Sequence, residues 1–205
     1  MRGLLPLVFS ALASAAAIAE PRQAAAPPVT VVSASSLGGN GCPTGKFSYT
    51  LSIDKTVGTL IFDVYRGYVG PTAPPDSREL FCDFAVVFRF PLGCTAGTIT
   101  AIPGGYIQLG DGINGTFSSQ YTISPGTLGP NPANLVFTSA QWGGGGGDYT
   151  EVQAISVKEN IRNENERNVT FTARSRLFLT APGPDVTGQF GVDHLDISIS
   201  QPTVC

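Results

Sequence analysis

Apolar side chains in this 205-residue chain recur at every second position. That period belongs to a half-buried β-strand, whose successive side chains point to opposite faces, and it does not fit a helix of period 3.6. Phe47, Tyr49, Leu51 and Ile53 alternate with Ser48, Thr50 and Ser52. Residues 54–56 make a turn, and residues 57–65 run back as a second strand. A proline-rich loop follows at 70–76. Cys82, Phe84, Val86, Phe88 and Phe90 then share one side of a longer strand. Phe81, Ala85 and Val87 share the other, interrupted by Asp83 and Arg89. Both faces are substantially apolar, which places this strand centrally in a sheet.

Further strands are predicted at 98–102, 106–109, 113–123, 135–139, 168–179 and 190–200. The last carries Val192, Leu195, Ile197 and Ile199 on its apolar side. Residues 151–158 fit either strand or helix. Gly104-Gly105 and Asp111-Gly112 read as turns. Residues 143–147 form a glycine loop after Trp142, and residues 159–167 a solvated charged loop or a single helical turn. The 25 glycines and 16 prolines suit short strands joined by turns. About nine to eleven strands without a helical repeat predict an all-β fold, a jelly-roll-like antiparallel sandwich of two sheets. A β-barrel is the alternative.

The amino terminus sets the compartment. Arg2 is followed by an uncharged apolar run at residues 4–17, then by Ala17-Ile18-Ala19, with small residues at both positions a signal peptidase reads. Glu20 and Pro21 end the run. This is the layout of a secretory signal peptide spanning residues 1–19, too short for a membrane-spanning helix. Residues 20–40 read as a flexible leader, and residues 41–205 as one β-sandwich domain. The whole chain carries a net charge of −3. A weakly acidic surface gives no electrostatic basis for binding nucleic acid or a membrane.

Four cysteines in an exported chain predict two disulfides: Cys42, Cys82, Cys94 and Cys205. Three pairings are possible. An extended strand between Cys82 and Cys94 holds them too far apart to bond. The preferred arrangement is Cys42–Cys82 with Cys94–Cys205. Without a CxxC pair, and with one histidine, the chain has no zinc-site spacing, and no metal or other cofactor is predicted.

The order of short motifs resembles the DUF4360 family of secreted proteins, found largely in fungi. The motifs are Gly41-Cys42-Pro43, Pro74-Pro75, Phe81-Cys82-Asp83, and Phe90-Pro91-Leu92-Gly93. They continue with residues 104–109 (Gly-Gly-Tyr-Ile-Gln-Leu), residues 112–116 (Gly-Ile-Asn-Gly-Thr) and Ser119-Gln120-Tyr121. The likeness covers about residues 41–200. Two departures stand out: Gly104-Gly105-Tyr106 replaces an Arg-Gly-Tyr-like segment, and Cys94 and Cys205 fall outside the family pattern. The resemblance implies export and a compact β-domain, and no activity.

Candidate functional residues are few. His194, flanked by Asp193 and Asp196, has the neighbours of a general base. Strand alternation makes it a residue beside a polar face. Asp83 lies in an apolar strand and must be paired or solvated, with Arg89 six residues away on the same face. A glycosidase needs two converging carboxylates; Asp63, Glu79, Asp83, Asp111, Asp148 and Glu151 are available. Trp142, Tyr65, Tyr68, Tyr106 and Tyr149 lie near loops and could stack on sugars, although aromatic mass generally serves the core. Asn114-Gly115-Thr116 and Asn168-Val169-Thr170 are glycosylation sequons. GxSxG, HExxH and Walker-type motifs are absent from the sequence.

These observations lead to a non-enzymatic secreted protein whose partner is cell-wall polysaccharide, a host protein or a small ligand. An extracellular carboxylate-dependent enzyme acting on polysaccharide is the runner-up. An accessory protein of fungal specialised metabolism is a third reading.

Overall fold

The computed structural model describes residues 28–91, 97–132, 134–142, 145–156 and 167–199. Those residues form thirteen strands: β1 Thr30–Gly38, β2 Phe47–Leu51, β3 Val57–Phe62, β4 Arg66–Val69, β5 Glu79–Phe90, β6 Thr98–Leu109, β7 Asn114–Ser124, β8 Leu135–Thr138, β9 Gly147–Thr150, β10 Gln153–Ser156, β11 Arg167–Thr180, β12 Gly188–Gly191 and β13 His194–Ile199. A 3-10 turn at Pro75–Arg78 and one helical turn, α1 Ser139–Trp142, complete the described elements. No helix among the described residues is long and apolar enough to cross a membrane.

All strand pairs are antiparallel, and they make two sheets. The first runs β1-β5-β11-β7-β8. The second runs β2-β3-β13-β6-β12-β4, with β9 and β10 also paired to β6. In this second sheet β12 and β13 both pair with β6, at Ile107–Leu109 and Ile99–Gly104 respectively. The neighbouring β4 and β3 pair with β12 and β13 in the same way. The layer is therefore narrower than its strand count suggests. The two sheets stack as an all-β sandwich, and neither closes into a barrel.

Alternation decides which side chains fill the space between the layers. Leu80, Cys82, Phe84, Val86, Phe88 and Phe90 of β5 are buried, as are Val169, Phe171, Ala173, Leu177 and Leu179 of β11. Ile99, Ile107 and Leu109 of β6 and Leu195, Ile197 and Ile199 of β13 face them from the other sheet. Each fully buried ring or branched chain contributes about 1.5–3 kcal/mol. Cys42 and Cys82 form a disulfide, the pairing preferred from the sequence, with both residues fully buried. It closes a loop with a sequence separation of 40, which the chain-entropy account values at about 4 kcal/mol.

Several sequence expectations need correction. Residues 30–38 were expected within a flexible leader, yet they form β1 and cover the edge of β5. Gly104-Gly105 is not a turn, because β6 runs unbroken from Thr98 to Leu109. The central placement of β5 holds in the sense that it has a neighbour on each side, β1 and β11. Its second face, however, meets solvent, with Phe81 44% exposed. Ile53 lies beyond β2 and is fully exposed. The strand expected at 190–200 splits into β12 and β13 at residues 192–193. The expected signal peptide, Cys94, Cys205 and most of the charged loop lie outside the described residues.

Candidate functional site

A concavity lies on the outer face of the second sheet, where three short stretches lie side by side. In β4, Gly67 and Val69 point inward and are buried, so Tyr68 points out. Gly67 is needed there: a Cβ would lie 2.8 Å from Leu177 Cδ2 and 2.9 Å from the Ser77 carbonyl oxygen. In β12, Phe190 is buried among Phe137 and Tyr149, at ring separations of 5.0 and 5.5 Å, which turns Gln189 outward. In β6, Ile107 and Leu109 are buried and Gln108 is exposed. The strand register aligns these outward residues: Tyr68 opposes Gln189, and Gln189 opposes Gln108.

This row of one aromatic ring and two amides forms the floor of a shallow, open cavity of about 440 Å³. The proline-rich loop supplies one wall through Gly70, Thr72, Ala73 and Pro74, and Thr187 and Gly188 add to the lining. No lining residue is charged. Gln189 Nε2 donates to Gln108 Oε1 at 3.1 Å. That single bond leaves the Gln189 carbonyl oxygen and both Gln108 N–H groups available, so the pair offers acceptor and donors side by side. Tyr68 is 39% exposed and lines the cavity. Arg66, which precedes Tyr68 in β4, pairs with Asp193 at 2.9 Å and also interacts with the Tyr68 side chain.

The candidate functional residues named from the sequence do not line this cavity, with the exception of Tyr68; Pro74 and Gln108, quoted there only as parts of family motifs, line it as well. Asp83 accepts from Arg174, its register partner on β11, through Nε at 3.0 Å and Nη2 at 2.9 Å. Arg89, the partner expected from the sequence, instead stands opposite Asn168. His194 begins β13, and its ring lies against the bare Cα of Gly104. Both acids that would orient it are occupied elsewhere: Asp193 by Arg66, and Asp196 by the Thr59 hydroxyl at 2.5 Å. Among the described residues, none of the four cavities characterised is lined by more than one of Asp83, Asp111, Asp148 and His194: Asp83 borders a shallow depression with Arg174, and the others line none of the four. Glu79 pairs with Arg176 at 3.1 Å. Among the described residues no three His, Cys, Asp or Glu side chains are arranged to hold a metal ion.

The other loop aromatics are structural. Trp142 is half-buried against Phe137, with ring centroids 6.3 Å apart. Tyr65 is buried, and its hydroxyl meets Ser175 Oγ at 3.0 Å. Tyr149 is buried and donates to the Gly191 carbonyl at 3.0 Å. Tyr106 is half-buried with its hydroxyl against Gly146. Asn114 and Asn168 are both exposed. Sequence reasoning met Gln108 only inside the family motif at residues 104–109 and did not mark Gln189 at all; only their register makes them a pair.

Comparison with known proteins places these features in context. The family model described as "Domain of unknown function (DUF4360)" matches residues 28–204. An uncharacterized secreted protein of Arthroderma benhamiae (strain ATCC MYA-4681 / CBS 112371) is 30% identical over 165 residues. That match takes in 80% of this chain and 65% of the relative, so the chain spans less than two thirds of the relative's length. Among solved structures, TmCBM61 in complex with beta-1,4-galactotriose aligns over 77% of this chain and 91% of its own, with 12% identity and a TM-score of 0.25.

Proposed function

We propose that this chain, which belongs to the DUF4360 family of domains of unknown function, is exported and acts without catalysis, holding a neutral carbohydrate chain in the groove floored by Tyr68, Gln189 and Gln108. Export is supported by the signal-peptide layout of residues 1–19, by a buried disulfide of the kind that persists in oxidising compartments, and by a secreted relative. The single observation that carries the ligand class is the aligned ring and amide pair in an uncharged groove.

The chemistry follows from the lining. A sugar presents an apolar ring face and a rim of hydroxyl groups. The exposed face of Tyr68 suits the first, and the Gln108–Gln189 pair suits adjacent hydroxyls, each of which both donates and accepts. A phosphate or uronate would meet no cation on the lining. The groove is open and borders β4, the edge strand of its sheet, so a ligand longer than one sugar has room to continue past it. Cell-wall polysaccharide is the partner that meets these requirements. None of the four cavities is lined by more than one of Asp83, Asp111, Asp148 and His194, so they lend the enzymatic reading no support.

The test is binding of the secreted protein to insoluble neutral glucan and to chitin, followed by calorimetry with soluble oligosaccharides. Tyr68→Ala is expected to weaken binding about tenfold or more, equivalent to about 1.4 kcal/mol. Replacing both Gln108 and Gln189 with Ala is expected to do the same. Wild-type affinity in both variants, or binding to a host protein or small molecule and to no neutral polysaccharide, would sink the proposal.

A further inference from the structure

The first sheet carries an exposed apolar pair that the fold leaves uncovered. Val136 on β8 is 53% exposed and Phe178 on β11 is 39% exposed. Both are register partners of the same residue, Thr116 on β7. Thr116 is the hydroxyl residue of the sequon Asn114-Gly115-Thr116. The sequon has a spacing of two, and so does the strand that contains it. Gly115 therefore points inward, where a Cβ would lie 2.8 Å from the Phe190 ring. Asn114 and Thr116 both point outward, and Asn114 is exposed. No hydrogen bond to the Asn114 side-chain amide forms among the described residues; its backbone carbonyl accepts from the Thr180 hydroxyl at 3.5 Å.

We infer that Asn114 carries an N-linked glycan whose first sugars lie over Val136 and Phe178. The inference rests on the export proposed above, since the donor is found only along the secretory route. In the transfer, Asn114 Nδ2 bonds to the anomeric carbon of a lipid-pyrophosphate-linked oligosaccharide. The bond from that carbon to the pyrophosphate oxygen breaks, the pyrophosphate leaves with the electron pair, and the amide gives up one proton. Val136 and Phe178 stand diagonally from Asn114, a separation of about 7–8 Å in an antiparallel sheet, which is within reach of a sugar attached to the amide. Its apolar face then covers two side chains that otherwise meet water. Asn168-Val169-Thr170 has the same inward and outward arrangement, with Val169 buried, but its register neighbours Arg89, Val87 and Ser124 include no exposed apolar side chain.

The test expresses the full chain in a fungal host and recovers it from the medium. Digestion with a peptide N-glycosidase converts each occupied Asn to Asp, which peptide mass spectrometry reads. Asn114 is expected as Asp, and Asn114→Gln is expected to lose the mass of one glycan. Binding of an apolar dye is expected to rise on deglycosylation and to fall back in the deglycosylated Phe178→Ser variant. Secreted protein with unmodified Asn114, or dye binding unaffected by removal of the glycan, overturns this inference alone. A chain retained inside the cell without glycan overturns the export premise as well.

Discussion

At the residue scale, three of the six tyrosines are core side chains with a polar tip to satisfy. Tyr65 meets Ser175, which in turn donates to the Cys82 carbonyl at 3.0 Å, tying the disulfide strand to β11. Tyr121 donates to Gln153 Oε1 at 2.5 Å, and Tyr149 to the Gly191 carbonyl. Burial disfavours each phenolate, so the Tyr65 and Tyr149 hydroxyls are held well above the ordinary range and Tyr121 is pushed up to about 12. An unfolded tyrosine ionises near about pH 10. Because the folded values lie higher, the stability these groups contribute is fully present below about pH 10 and is lost as pH rises toward the folded values. The expected outcome is that the three ionise together with unfolding in alkali. Tyrosinate absorbance followed alongside far-ultraviolet circular dichroism checks this. Smooth ionisation of all six tyrosines with the sheets intact would refute it.

At the element scale, the long strands were legible and the short or irregular ones were not. β5, β7 and β11 show clean alternation, because one face of each meets the core along its whole length. β1 does not. Register shifts between Val31 and Ser33 and between Ser36 and Gly38 break its period, and its Ser- and Ala-rich composition hides what remains. β4 was missed because the residue at one of its two inward positions is Gly67, which carries no hydrophobic signal. Gly104-Gly105 misled for a related reason. Glycine marks either a turn or a close approach, and here the His194 ring covers Gly104 while the Gly191 carbonyl oxygen would lie 2.1 Å from a Cβ on Gly105. Gly105→Ala is therefore expected to cost about 1–3 kcal/mol or more through overpacking. That should lower the melting temperature by about 2–4 °C per kcal/mol at this size. Gly145→Ala, where nothing lies within 4 Å, is the matched control. Equal melting temperatures for the two variants would restore the turn reading.

At the scale of the whole molecule, β1 tests where the folded unit begins. Reading residues 20–40 as a leader implies that a chain starting at residue 41 folds unaided. The contacts argue otherwise. β1 pairs with β5 from Thr30 opposite Arg89 to Gly38 opposite Asp83. Val29 and Val31 are buried in the common core. The Val31 N–H donates to the Lys55 carbonyl at 2.7 Å, joining the first sheet to the β2–β3 turn of the second. Ser36 Oγ donates to the Cys42 carbonyl at 2.9 Å, beside the disulfide. Removing β1 uncovers part of the core and leaves the twelve-residue β5 as a bare edge, a template for pairing with other chains. A chain starting at residue 41 is expected to aggregate or to lose its cooperative melt, whereas one starting at residue 28 should retain both solubility and transition. Size-exclusion chromatography and thermal melts of the two distinguish the cases. A monomeric shorter chain that melts like the longer one would mean that β1 rests on the sandwich without holding it together.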